Sequence, residues 1–119
     1  MADVDSFKTI NDAWGHQAGD AAIRAVAAAF ADSVRVPDPC FRWGGDELVA
    51  LLPEATIETA QEIAGRVVAE VRRRCARPDG TPVVLTIGCA ELAPGESGAE
   101  MLVRADEVLM AAKAAAGGR

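Results

Sequence analysis

The chain has 119 residues, 50% of them hydrophobic and 25% charged, and its 12 Lys and Arg against 18 Asp and Glu leave a net charge of −6. This is ordinary globular composition at a length that suits one domain with one core, and it excludes a generally basic nucleic-acid binder. With no apolar run of about 18 residues, no signal-peptide pattern, and Cys40, Cys75 and Cys89 in apolar company without metal-ligand spacing, the expected setting is a reducing cytoplasm with no membrane segment.

In chain order, Asp3 to Asn11 (DVDSFKTIN) reads as a strand end running into a loop. Asn11 to Asp20 is rich in amides, acids and glycine and continues that polar stretch. Ile23, Val26, Ala27, Phe30 and Val34 then recur at helical spacing, which predicts a helix from about Ala18 to Val34. Asp20 near its start suits the helix dipole, and Pro37 and Pro39 end it. Cys40–Trp43 and Asp46–Leu52 form a hairpin about Gly44-Gly45, a dipeptide that suits the tight primed turns. The unbroken apolar run Leu48–Leu52 fits a central strand, stopped by Pro53. Thr56 caps a helix over about Ile57–Cys75, with Ile63, Val67 and Val71 inward and Arg72-Arg73-Arg74 on a solvated face. The turn Arg77–Gly80 leads into a β-branched strand, Pro82–Glu91, and a last helix over about Ala99–Ala115 turns Leu102, Ala105, Leu109 and Ala112 inward. This order predicts an α+β fold with helices packed on a sheet.

Polar residues gather at particular places. Asp3 and Asp5 flank Val4, and alternate strand residues share a face, so the two carboxylates repel unless a cation lies near them. Hard oxygen ligands with an open position suit Mg²⁺, although a strand end that exposes two acids is the plainer reading. Asp46 and Glu47 follow the glycines directly, where missing side chains let a flat ligand approach the backbone; a solvated hairpin tip is again the plainer reading. The stretch from Asn11 to Asp20 joins an amide, donor and acceptor, to carboxylate acceptors, a pairing that matches the edge of guanine, and a plain turn explains it equally well. His16 is the single histidine and has no Ser or Cys beside it that would make a triad.

Taken together, DVDSFKTIND, GHQAGD, RWGGDEL, LTIGCAE and RADEVLMAAK occur in order and at sensible spacing. This pattern resembles the GGDEF domain family, the diguanylate cyclases, over nearly the whole chain. The resemblance implies a nucleotide-cyclase or polymerase-palm (ferredoxin-like) fold with an antiparallel-rich sheet. It also implies a homodimer in which two facing domains each hold one GTP and together make cyclic di-GMP. Carried over by motif, Asp3 and Asp46 bind Mg²⁺ (or Mn²⁺) through carboxylates and Val4 through its carbonyl. Glu47 lies beside the attacking ribose hydroxyl as base or metal ligand, and Asn11 and Asp20 hold guanine with His16 close by. Lys8 and the backbone amides of Ser6 and Phe7 meet the phosphates, Lys113 reaches the terminal phosphate, and Gly44 and Gly45 make room for the nucleotide.

Arg35-Val36-Pro37-Asp38 resembles the family's RxxD product-inhibition motif at its usual offset, with Arg66 where a second arginine is often supplied. Arginine can grip a phosphate or guanine bidentately, and the alternative is an ordinary loop ion pair between Arg35 and Asp38. The family pattern differs in places. Leu48 stands where Phe is usual, Met110 where an aromatic is common, and Arg119 lies two positions beyond the usual phosphate-contacting arginine. The expected domain is thus residues 1–119 as one GGDEF-type unit without its N-terminal helix and most of its first strand. The alternative reading is a catalytically silent GTP or cyclic di-GMP binding module, or an inactive fragment.

Overall fold

The structure is a computed structural model and describes residues 1–117. Its elements in chain order are β1 (Ala2–Val4), α1 (Phe7–Trp14), α2 (His16–Ser33), β2 (Cys40–Arg42), β3 (Glu47–Ala50), α3 (Ile57–Arg74), β4 (Leu85–Ile87) and α4 (Gly98–Ala115). The strands form one sheet in the order β2-β3-β1-β4, and every neighbouring pair is antiparallel. β1 is only three residues long, yet it pairs on both edges and is buried throughout. Its register sets Ala2 against Leu48 and Ile87, and Asp3 against Glu47 and Thr86.

Because strand side chains alternate between faces, this register decides what each face carries. Ala2, Val4, Leu48 and Leu85 share one face and pack with Ile23, Val26 and Phe30 of α2 and Ile63, Val67 and Val71 of α3. Each such buried aliphatic contributes about 1.5–3 kcal/mol, which is why α2 and α3 hold to this face. The other face carries Asp3, Glu47 and Thr86. α4 lies on that second face, over β4. A Cβ at Gly88 would stand 2.4 Å from the Ala105 carbonyl oxygen and 2.5 Å from the Leu109 nitrogen, so only glycine admits the helix backbone here. This approach brings the far end of α4, with Lys113, to Asp3.

Several elements differ from the expectation. The stretch after Asp3 is not a loop: α1 spans Phe7–Trp14, and α2 starts at His16. Phe7, Ile10 and Trp14 supply the apolar spacing of a helical turn, and Gly15 at φ 89° allows the chain to leave α1 and enter α2 with one residue between. The hairpin is wider than a two-residue primed turn. Trp43 N–H donates to the Glu47 carbonyl at 2.8 Å, and neither Gly44 nor Gly45 adopts the positive φ that primed turns need. The strand expected over Pro82–Glu91 is regular only over Leu85–Ile87, beside an isolated bridge from Ala76 to Pro82. α3 and α4 fall within a residue of their expected ends, and both are capped by side chains: Thr56 accepts from Thr59, and Ser97 with Glu100 forms a capping box.

Candidate active site

Asp3 is the centre of the second face. It is only 8% exposed, and its Oδ2 takes an ion pair of 2.6 Å from Lys113 Nζ. Its Oδ1 is buried and receives no hydrogen bond. Burial pushes the Asp3 carboxyl above the ordinary carboxylate range; the Lys113 ammonium pulls it back down, and the neighbouring Asp46 carboxyl pushes it up again. A buried carboxylate oxygen without a donor, facing a second carboxyl, is a place where a cation relieves repulsion. Val4 donates its N–H to the Asp46 carbonyl at 3.1 Å, so the Val4 carbonyl projects from the same edge of β1, toward the hairpin loop. Two carboxylates and a carbonyl are the sparse, hard-oxygen set that suits Mg²⁺ completed by water and phosphate oxygens. Among the described residues no group of three or more His, Cys, Asp or Glu side chains is placed to hold a metal ion.

Asp5 shares the face with Asp3 but has a different task. It is 2% exposed, and Thr86 Oγ1 donates to its Oδ1 at 2.7 Å. It ties β1 to β4 rather than joining the Asp3–Asp46 pair.

Glu47 sits across the β1–β3 ladder from Asp3, on the same face. Its side chain folds back over Gly44, where an added Cβ would stand 3.2 Å from Oε1, whereas a Cβ at Gly45 would meet nothing within 4 Å. The two glycines therefore differ: Gly44 makes room for Glu47, and Gly45 leaves open space at the loop. Trp43 and Phe41 are exposed beside them.

Ser6 enters α1 in the left-handed region at φ 57° and makes no side-chain cap. A non-glycine residue held there is strained, and such strain recurs where backbone N–H groups are gathered for an anion. The first N–H groups of α1, from Phe7 onward, have no intrahelical acceptor and lie at the positive end of the helix dipole. Lys8 is exposed beside them and makes no ion pair among the described residues. The α1–α2 corner places Asn11 against Gly19: a Cβ there would stand 1.8 Å from Asn11 Oδ1. Asn11 is thus held one residue from Asp20, with His16 exposed at the start of α2.

The remaining sequence candidates lie away from this cluster. Arg35 and Asp38 bind one another, Nε to Oδ2 at 2.9 Å and Nη2 to Oδ1 at 3.0 Å, and Arg35 Nη2 also reaches the Pro53 carbonyl at 3.0 Å. The Arg35 guanidinium holds the Asp38 carboxyl below its usual range. Arg66 donates through Nε and Nη2 to the Ser33 carbonyl, at 3.0 and 2.8 Å, closing the C-terminal end of α2. Arg119 lies outside the described residues. An apolar cavity of about 530 Å³ beyond the far ends of β3 and β4 contains none of Asp3, Asp46 or Glu47 in its lining.

Arg42 had no role in the sequence reading. Its Nε and Nη2 donate to the Gly44 and Gly45 carbonyls at 3.2 and 2.6 Å. Its place two residues ahead of Gly44 is the one signal in the sequence, and a lone charge at a hairpin is ordinary.

A family model described as diguanylate cyclase, GGDEF domain, matches residues 1–119. Diguanylate cyclase DosC of Escherichia coli (strain K12) is 42% identical over 118 residues, covering 95% of this chain and 25% of that protein. The GGDEF domain of DgcB from Caulobacter crescentus, solved in complex with c-di-GMP, superposes with a TM-score of 0.87 at 35% identity, covering 99% of this chain and 71% of that one. Diguanylate cyclase SiaD from Pseudomonas aeruginosa, solved with its activator SiaC, gives a TM-score of 0.88 at 38% identity, covering 96% of this chain and 45% of that one. The chain thus spans about a quarter of the length of the curated relative it matches.

Proposed function

The chain belongs to the GGDEF domain family, and from that premise we propose that it is a diguanylate cyclase domain, joining two GTP molecules into cyclic di-GMP. The observation that carries this is the Asp3 Oδ1 atom, buried without a donor beside Asp46 and on the same face as Glu47. A silent binding module would need none of these three acids, and all are in place.

Asn11 and Asp20 recognise the guanine edge, with His16 at its margin. The left-handed Ser6, the N–H of Phe7 and the Lys8 ammonium receive the phosphates at the start of α1. Lys113 exchanges part of its contact with Asp3 for the terminal phosphate. Asp3, Asp46 and the Val4 carbonyl would hold Mg²⁺ (or Mn²⁺), which when bound polarises the α-phosphate and favours the alkoxide. Glu47 accepts the proton of the ribose 3′-hydroxyl. That oxygen then bonds to the α-phosphorus of the other GTP as the bond to the β-phosphate oxygen breaks and pyrophosphate leaves. Each copy supplies one GTP, so two facing copies are needed, and two such steps close the ring.

Arg35 and Asp38 supply the inhibitory product site, with Arg66 beside it. The Asp38 carboxylate locks the Arg35 guanidinium from one side, which leaves Nη1 for a phosphate or guanine oxygen. No helix among the described residues is long and apolar enough to cross a membrane.

The test is incubation of the chain with GTP and Mg²⁺, with products separated by chromatography. The unaltered chain yields cyclic di-GMP, and Glu47→Gln lowers its rate by about 10²- to 10⁴-fold. Equal product from both, or none from the unaltered chain, overturns the proposal.

A further inference from the structure

Arg42 lies at the end of the edge strand β2, and its backbone partner across β3 is Leu48. Its side chain therefore leaves the sheet on the face opposite Asp3 and Glu47. From there the guanidinium turns under the loop and donates to two successive carbonyls, Gly44 at 3.2 Å and Gly45 at 2.6 Å. A trans peptide points its C=O and its N–H in opposite directions. With both carbonyls drawn to Arg42, the N–H groups of Gly45 and Asp46 point away from it, and neither has an acceptor among the described residues. Gly45 also borders open space.

Little else fixes these planes. Glycine has the widest backbone freedom of any residue, and neither glycine here is confined by a primed turn. The loop is otherwise held by the Trp43 and Gly44 N–H groups on the Glu47 carbonyl, at 2.8 and 3.4 Å, and by the Val4 N–H on the Asp46 carbonyl, at 3.1 Å, none of which fixes the Gly44–Gly45 or Gly45–Asp46 peptide plane. We propose that Arg42 is a positioning residue whose fork on the Gly44 and Gly45 carbonyls aims the Gly45 and Asp46 N–H groups, together with Asp46 and Glu47, at an oxygen of the bound nucleotide. The ligand follows from the cyclase reading above; the grip on the loop stands independently of it. A planar two-donor fork is needed, so lysine does not replace it.

The test uses Arg42→Met, which keeps the apolar stem, and Arg42→Lys, which keeps the charge. In ¹⁵N relaxation measurements without nucleotide, the Gly45 and Asp46 amides pass from rigid order parameters near about 0.85 to below about 0.6 in both variants. Thermal melting stays within about 2 °C, because the side chain is exposed. In turnover of GTP with Mg²⁺, kcat falls by about 10- to 100-fold in both variants, with the smaller change in KM. Amides as ordered in Arg42→Met as in the unaltered chain overturn the inference, and so does a loosened loop with unchanged kcat. Should the unaltered chain make no product, the cyclase reading fails on its own. The relaxation data, with GTP titrated onto the Gly45 and Asp46 amide signals, then decide the role of Arg42.

Discussion

Gly88→Ala tests how α4 is set on the sheet. The new Cβ would lie 2.4 Å from the Ala105 oxygen, 2.5 Å from the Leu109 nitrogen and 2.9 Å from the Leu109 Cα. All three are backbone atoms, so no side chain can swing aside, and α4 must retreat by about 0.5–1 Å to reach ordinary contact. Overpacking of this kind costs about 1–3 kcal/mol, against about 0.5–1 kcal/mol returned by the lower chain entropy of alanine. With three backbone atoms in the clash the cost lies at about 2–3 kcal/mol, so the net loss is about 1–2.5 kcal/mol, which at this chain length lowers Tm by about 4–12 °C in a melt followed by circular dichroism. Lys113 lies one turn beyond Leu109, so the same retreat lengthens its 2.6 Å contact with Asp3. GTP turnover measured well below Tm therefore falls as well. A variant that melts at or above the unaltered chain would show that α4 does not rest on this glycine.

Gly19→Ala separates binding from stability. Its Cβ displaces the flexible amide of Asn11, 1.8 Å away, while helix propensity returns about 1 kcal/mol, so Tm stays nearly constant. The lost contacts to guanine raise KM for GTP by about tenfold, and an unchanged KM removes Asn11 from the base site. Glu96 is held down to about 2, from 4.5, first by its hydrogen bonds from Arg104 and then by the Ala93 N–H. A depressed carboxyl stabilises the fold above its unfolded pKa and loses that contribution as pH falls through the folded one. Melts of the unaltered chain and Arg104→Met should thus differ most above pH 4.5 and converge toward pH 2; a constant gap refutes the linkage. Arg35→Ala removes both the Asp38 ion pair and the free Nη1, so cyclic di-GMP binding by calorimetry should be lost, and unchanged affinity would place the inhibitory site elsewhere.

Much of the fold was legible because its signals are local. Ile63, Val67 and Val71 carry the helical period, Thr56 supplies the cap, and Pro53 ends the apolar run of β3. α1 is hard to read because eight residues give barely two turns of pattern, and Lys8, Thr9, Asn11 and Asp12 interrupt its apolar positions. The hairpin was misjudged for a similar reason. Two glycines name a turn chemistry, but Glu47 and Arg42 take up the backbone on either side and open the loop.

The chain by itself determined which groups are available: the acids Asp3, Asp46 and Glu47, the amide and acid of Asn11 and Asp20, the Lys8 and Lys113 ammonium groups, and their order along known motifs. These are matters of residue type and spacing, and no folding is needed to read them. Lys113, 110 positions after Asp3 by number (113 less 3), becomes its ion-pair partner through the fold. The fold also shows that Asp5 accepts from Thr86, that Arg35 is engaged by Asp38, and that Arg42 donates to the Gly44 and Gly45 carbonyls. Each of these depends on sheet register and on the close seat of α4 over Gly88, long-range geometry that no local spacing encodes.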